Sequence, residues 1–253
     1  MYENYQRWKE VPLTTTPLLS IIIPAYNESE RIVPTIGAIA SHVSDLGFPW
    51  ELILADDGST DETVALAEGL ELVNMRVLKA AQNGGKGSAV RRGVLVAEGD
   101  YVLFADADNS TPIEEVENLL NKLRYDGYDV AVGSRAADGA SEQDKSFMRH
   151  LLSNGLRWIV SNVFSIGVRD TQCGFKMYTR EVARRLHETQ TLMGFSFDLE
   201  ILYLANKFRY NIAEVPVTWI DAPGSKVDPI KEAQRFIRDL LKIKLTDLRG
   251  GYA

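Results

Sequence analysis

The chain has 253 residues, 45% of them hydrophobic and 25% charged, which is ordinary for a soluble globular protein and ample for a sizeable core. Its 28 Lys and Arg against 35 Asp and Glu give a net charge of -7, which disfavours non-specific nucleic-acid binding, because that depends on neutralising phosphates. The single cysteine, Cys173, excludes an internal disulfide and a cysteine-based zinc cluster, and the three histidines (His42, His150, His187) lie too far apart in sequence to suggest a His-rich metal site.

The first half alternates short apolar runs with helix-like stretches. Leu19–Pro24 is a continuous β-branched run, as in a strand buried on both faces. A helix is expected over Arg31–Val43, a strand over Glu51–Ala55, and a turn at Asp56–Ser59. Thr60, Asp61 and Glu62 offer a cap and first-turn acids for a helix over Thr63–Val73. A strand at Met75–Lys79 follows, then a helix over Ser88–Ala97 opened by Gly84-Gly85-Lys86-Gly87. Next come a strand at Tyr101–Ala105, a helix from Pro112 to about Tyr125, and a strand at Asp129–Gly133. Strands alternating with helices imply an α/β domain with a mainly parallel sheet covered on both faces.

The pattern changes after Arg135. Ala136–Lys145 is polar and reads as a mobile loop. A helix over roughly Ser146–Ser165 and a loop at Asp170–Lys176 follow. Helices are then expected near Glu181–His187 and Asp198–Lys207, a strand at Ala213–Trp219, and a last helix at Pro229–Leu248. No repeat or linker divides the chain, so one domain with a C-terminal helical extension is expected. No uncharged apolar run approaches the roughly 18–20 residues of a spanning helix. The N-terminal stretch mixes charges and has no apolar signal region. The expectation from these features is a protein made and kept in the cytosol, which could lie on a membrane; the resemblance named below implies a peripheral place on the cytoplasmic face.

In an open parallel sheet, ligands bind beyond the carboxyl ends of the strands. Three sets of polar residues fall there: Pro24–Glu28, Asp56–Asp61 and Asp106-Ala107-Asp108. Clustered carboxylates repel unless cations or donors intervene. Asp106 and Asp108 aim hard oxygens at one locus, which suits Mg2+ or Mn2+ shared with a substrate phosphate. For any one set, capping of strand-to-helix turns is the competing reading. The Gly84–Gly87 segment is neither a P-loop nor a G-x-G-x-x-G motif. It offers flexible backbone and one ammonium at a helix N-terminus, enough to hold a phosphate. Arg135, Arg149, Lys176 and Lys226 form a later basic set, with simple solvation as the alternative for each. The terminal helix places Ala233, Phe236, Ile237, Leu240, Leu241 and Leu248 near one face, with Lys and Arg over much of the rest. It can dock on the core, lie on an anionic bilayer, or do both with different faces.

These residues carry a resemblance. PAYNE (Pro24–Glu28), DDGSTD (Asp56–Asp61), GGKG (Gly84–Gly87) and DADNST (Asp106–Thr111) make the chain similar to the GT-A-type inverting glycosyltransferases of the family that includes polyprenyl-phosphate sugar synthases. SR (Ser134-Arg135), DTQCGFK (Asp170–Lys176), FDLE (Phe197–Glu200) and PGSK (Pro223–Lys226) resemble its dolichyl-phosphate β-glucosyltransferase subgroup. The likeness runs from about Leu18 to Lys244. It implies a GT-A, Rossmann-like fold, with residues 18–135 as the nucleotide-sugar half and 136–253 as the acceptor half. It further implies that Pro24, Tyr26 and Glu28 line the base and ribose pocket, that Asp57 contacts its edge, and that Lys86 lies near the nucleotide. Asp106 and Asp108 would hold Mg2+ or Mn2+, with Asp108 the more direct ligand. Arg135 and Lys176 would face the phosphates, and Ser225 and Lys226 would close over the acceptor. Arg149 and Gln172 are counted with the substrate-binding residues, and Asp198 takes the position of a general base.

The implied reaction moves a hexose from a nucleoside-diphosphate sugar to a polyprenyl phosphate in a membrane. UDP-glucose is the favoured donor and GDP-mannose the alternative. A sugar hydroxyl as acceptor, or a silent nucleotide-sugar-binding protein, are the rival readings. Because the sequence shows no anchor of the kind family members carry, lipid contact is expected from the Ser146–Ser165 helix, the terminal helix or a membrane-anchored partner. Oligomeric state is left open.

Overall fold

The computed structural model describes residues 3–10, 16–143, 164, 166–220 and 229–252. In chain order these form α1 (Glu3–Lys9), β1 (Leu19–Ala25), α2 (Ile32–Asp45), β2 (Trp50–Asp56), α3 (Thr63–Glu68), β3 (Met75–Lys79), α4 (Lys86–Leu95) and β4 (Tyr101–Ala105). After a 3-10 turn at Ile113–Glu115 come α5 (Val116–Arg124), β5 (Val130–Ser134), β6 (Ser141–Gln143), β7 (Phe175–Thr179), α6 (Arg180–Thr189) and α7 (Phe197–Lys207). The last elements are β8 (Ile212–Pro216), β9 (Thr218–Ile220) and α8 (Pro229–Leu248). A seven-stranded sheet in the order β3-β2-β1-β4-β7-β5-β8 is parallel except for β7, which runs antiparallel to both neighbours.

Strand alternation sends successive side chains to opposite layers. Ile21, Ile23, Leu52, Leu54 and Leu103 pack under α1, α2 and α5. Ile22, Ile53, Val102 and Phe104 pack under α4, α6, α7 and α8. Both faces are covered, which explains why β1 and β2 are buried along their whole length.

The register opens the sheet at one place. β1 pairs with β2 as far as Ala25↔Asp56 but with β4 only as far as Ile22↔Phe104. Pro24, which has no N–H to donate, lies in the parted stretch. From β1 the chain builds β2 and β3 to one side and β4 to the other, so the gap is a topological switch point.

Several elements differ from the sequence expectation. The N-terminal residues, read only as lacking a signal, form α1. Its Tyr5 and Trp8 stack at 5.7 Å, and Trp8 packs 5.3 Å from Trp50. Helix α3 stops at Glu68, well short of Val73, because the chain reverses through Glu71 at φ 49 and turns Leu72 inward. The expected loop through Lys176 is in its last residues β7, a central strand whose apolar pattern is interrupted by a buried lysine. Part of the expected loop at Ala136–Lys145 pairs as β6 with β9, and the strand expected at Ala213–Trp219 is split at Val217. The helix expected over Ser146–Ser165 lies outside the described residues apart from Phe164, whose ring meets Tyr203 at 5.4 Å.

His187, at the end of α6, is fully buried. Gln190 donates through Nε2 to the Gly87 and Leu192 carbonyls, so its Oε1 accepts from His187 Nδ1 at 2.7 Å. Among the described residues Nε2 of His187 has no hydrogen-bond partner. Burial holds its pKa down, from 6.5 to about 4. The unfolded chain therefore takes up the proton first as pH falls. Stability that is complete above pH 6.5 should be lost progressively as pH falls to about 4, by about 3 kcal/mol from this group. Urea denaturation across that range should show the fall, and the His187→Asn variant should show a smaller one.

Candidate active site

Four strand ends meet at the gap. Tyr26–Glu28 leave β1, Asp56 and Asp57 end β2, and Asp106–Asp108 leave β4. Because β7 is antiparallel, its first residues lie at the same rim, with Ala105 opposite Phe175 and Phe104 opposite Lys176. β5 ends at Ser134, so Arg135 joins the rim from the far side.

The DDGSTD carboxylates are spent largely on backbone. Asp56 accepts from the Gly58 and Ser59 amides, and Asp61 from Ser29 and Thr63. Burial opposes the Asp61 charge, but these donors outweigh it and hold its pKa at about 2. Asp57, expected at the base or ribose edge, is buried; it takes the Gly84 amide at 3.1 Å and the Gly85 amide at 2.7 Å. It thereby fixes the turn that opens α4. Gly85 sits at φ 97, and a Cβ there would stand 2.4 Å from the Met193 carbonyl oxygen, so glycine is required.

That turn delivers Lys86. Its Nζ lies 2.7 Å from Asp106 Oδ1, 5.2 Å from the centre of the Phe104 ring and 5.7 Å from that of Phe195. Burial works against the ammonium, but Asp106, followed by Asp198, outweighs it and raises the pKa above the usual lysine value. Asp108 accepts from the Ser110 amide at 2.9 Å. Glu28 pairs with Arg31 at 2.7 Å. Desolvation lifts its pKa, and Asp108 and Asp106 add to the lift against the opposing Arg31.

Lys176, expected to face phosphates, is wholly buried. Its ammonium lies 2.6 Å from Asp198 Oδ1 and also donates to the Cys173 carbonyl. Burial raises the pKa of Asp198 against the pull of Lys176 and Lys86. The FDLE motif thus has separate tasks. Phe197 packs against Phe104 at 5.6 Å, Asp198 balances Lys176, and Glu200 accepts from the Thr191 and Leu192 amides. Arg135 grips Asp170 in a fork, Nε to Oδ2 at 2.6 Å and Nη2 to Oδ1 at 2.9 Å. Burial opposes the charge of Asp170, yet Arg135 holds its pKa at about 2. Cys173 is buried with its thiol pushed up to about 11 by desolvation, so it is no nucleophile. Tyr26 and Gln172 are exposed at the rim, whereas Pro24 is buried in β1. Arg149, Ser225 and Lys226 lie outside the described residues.

Among the described residues no three His, Cys, Asp or Glu side chains converge on one point. Two neighbouring carboxylates on a rim fit Mg2+ or Mn2+, which characteristically takes one or two carboxylates and completes its shell with substrate phosphate and water. Phe104, Asp170 and Gly174 were not singled out from the sequence as site residues. Phe104 becomes visible only once β7 is placed beside β4. Gly174 is legible in the sequence as a glycine that permits close backbone approach, but its neighbour Asp106 is not, and Asp170 stood within the DTQCGFK motif as the one acid beside a basic set.

The sequence profile of glycosyl transferase family 2 matches residues 20–186. The chain belongs to glycosyl transferase family 2. Its relatives include the dolichyl-phosphate β-glucosyltransferase of Dictyostelium discoideum, 39% identical over 92% of this chain and 75% of that one. The enzyme of that description from Homo sapiens is 36% identical over 94% and 78%, and that from Saccharomyces cerevisiae 35% over 92% and 76%. Among solved structures, glucosyl-3-phosphoglycerate synthase from Mycobacterium tuberculosis in complex with Mn2+, UDP-glucose and glycerol 3-phosphate superposes with a TM-score of 0.68. It is 22% identical and covers 96% of this chain and 84% of that one. That likeness establishes the fold, the GT-A arrangement implied by the motifs. The protein is a family 2 glycosyltransferase.

In this family 2 enzyme Gly174 abuts the end of β4. A Cβ on it would stand 1.9 Å from Asp106 Oδ2. The Gly174→Ala variant should keep its far-UV circular dichroism but lose the Lys86–Asp106 arrangement. Sugar transfer should fall by about a hundredfold, the scale of a misplacement near one ångström. Full activity would show that Asp106 has no fixed position to lose.

Proposed function

We propose that the enzyme transfers glucose from UDP-glucose to dolichyl phosphate, inverting the anomeric carbon, in the crevice between β1 and β4. The reading is carried by one observation: relatives described as dolichyl-phosphate β-glucosyltransferases match more than nine-tenths of the chain. In this reading residues 18–135 hold the donor and 136–253 the acceptor. Pro24, Tyr26, Glu28 and Asp57 serve the nucleoside side. Arg135, Arg149, Gln172, Ser225 and Lys226 serve the acceptor side, with the enzyme peripheral on the cytoplasmic face of a membrane.

Asp106 and Asp108 would hold Mg2+ or Mn2+, which when bound supplies positive charge for the departing diphosphate. Lys86 adds an ammonium beside them and offsets the carboxylates while the donor is absent. The acceptor phosphate oxygen forms a bond to the anomeric carbon as the bond from that carbon to the β-phosphate oxygen breaks. UDP leaves with the electron pair, and an α-linked donor gives a β-linked product. A phosphate monoester has a second pKa near 6 and is already ionised at pH 7, so no base is required. Asp198 therefore acts as the counter-charge that keeps Lys176 in place and so supports the Cys173–Gly174 backbone against Asp106. Arg135, oriented by its fork on Asp170, meets the incoming phosphate and lessens its repulsion by the donor.

Radiolabelled UDP-glucose incubated with the protein, dolichyl phosphate and Mg2+ should give label in the organic phase, and GDP-mannose should give none; the opposite pattern would overturn the donor assignment. Asp108→Ala should abolish transfer without unfolding the protein. Asp198→Asn should retain transfer within about tenfold, because the acceptor carries no proton to remove, and complete loss in a folded variant would restore general-base catalysis. Asp198→Ala, which leaves the Lys176 ammonium buried without its partner, should cost about 3–5 kcal/mol in urea denaturation.

A further inference from the structure

Helix α8 has two apolar faces, and the core uses one. Leu240 and Ile243 are buried in the layer beneath the sheet. On that side Lys244 Nζ lies over the Phe164 and Tyr203 rings at 4.8 and 5.0 Å, and Asp247 accepts from Tyr203 and Lys207. The other face carries Ile237, Leu241, Leu245 and Leu248, which are 47, 61, 50 and 83% exposed. Their spacing of i, i+4, i+8 and i+11 aligns them in one stripe along about three turns of helix. A water-facing stripe of four large aliphatic side chains on one helix marks a contact surface.

The charge beside the stripe identifies its occupant. Arg238, Lys242 and Arg249 are exposed and fall on the flank of the stripe away from the core, by the 100° turn per residue of a helix. The two acids between Arg235 and Arg249 are Asp239 and Asp247; Asp247 is engaged with Lys207, and neither lies in the stripe. A chain of net charge -7 thus presents a cationic apolar edge on α8. We infer that this outer face of α8 lies on an anionic lipid bilayer, with the four aliphatic side chains inserted at the headgroup boundary and the cations against lipid phosphates. A second copy pairing through the same face would set Arg238, Lys242 and Arg249 against their own counterparts, like charge against like. The inference deepens the peripheral membrane placement proposed above and rests on it, but not on the donor or acceptor, because binding to lipid is read without turnover.

The test is flotation of the full chain with vesicles of phosphatidylcholine mixed with phosphatidylserine, against vesicles of phosphatidylcholine alone. The protein should float with the mixed vesicles and hardly with the neutral ones. Combined Ile237→Ser, Leu241→Ser and Leu245→Ser should weaken partition by about a hundredfold. Arg238→Gln and Lys242→Gln should each weaken it by about fivefold, an effect that vanishes in high salt. All of these side chains are exposed, so circular dichroism and melting should be unchanged. Failure to float with the mixed vesicles, or flotation that survives the triple serine variant, would overturn the inference. So would a concentration-dependent dimer in sedimentation that the serine variant abolishes, which would seat a second copy on the stripe. None of these outcomes touches the transfer assay, so this surface and the proposed reaction fail separately.

Discussion

The crevice depends on negative charge being tolerated at the end of β4. Asp106 and Asp108 raise the pKa of Glu28, and Asp106 that of Asp198, each on top of the larger effect of burial. In a partly buried setting that repulsion would open the sheet or protonate the acids. Two ammoniums prevent it, Lys86 on Asp106 and Lys176 on Asp198. Both lie within 6 Å of the centre of the Phe104 ring, whose electron-rich face adds a further attraction. The cations are fixed by local backbone: Asp57 orders the turn before Lys86, and the Cys173 carbonyl receives Lys176. The rim is therefore charged and held in place before any ligand arrives, which is the condition for electrostatic stabilisation at low reorganisation cost.

The sequence disclosed the parallel half of the sheet because each strand there is a short apolar run between turn residues. Leu19–Ala25, Met75–Lys79 and Tyr101–Ala105 fall within a residue of expectation, as does α8. The rim followed from topology, since residues after parallel strands gather at one edge. What could not be read was β7. Its buried lysine contradicts a buried strand unless Asp198, 22 residues later, is known to lie beside it. The glycine of the same segment could be read as allowing a close approach, but not that what approaches is the Asp106 carboxylate, 68 residues earlier in the chain.

The motifs also carried two kinds of residue that sequence alone does not separate. Asp56 and Asp61 look as chemical as Asp106 and Asp108, yet they serve as acceptors for turn amides. Asp and Asn at strand-to-helix turns commonly do so. What distinguishes Asp106 is its partner, an ammonium and not an amide. In the FDLE segment, likewise, one acid balances a lysine and the other buckles a loop. Motif identity marked the right stretch, and hydrogen-bond geometry assigned the work within it.

The reversed strand also has a consequence for how the polypeptide reaches its native state. β7 is wedged between β4 and β5, while β8 closes the far edge beside β5, so the two sequence halves interlock like folded hands. Neither half has a complete sheet of its own, and a cut between them would leave raw strand edges on both fragments. On the ribosome, the early βαβ units can collapse as they emerge, but the centre of the sheet must wait for residue 175 and beyond. Until then β4 and β5 lack their shared neighbour, and the nascent chain passes through a stage in which aggregation competes with completion.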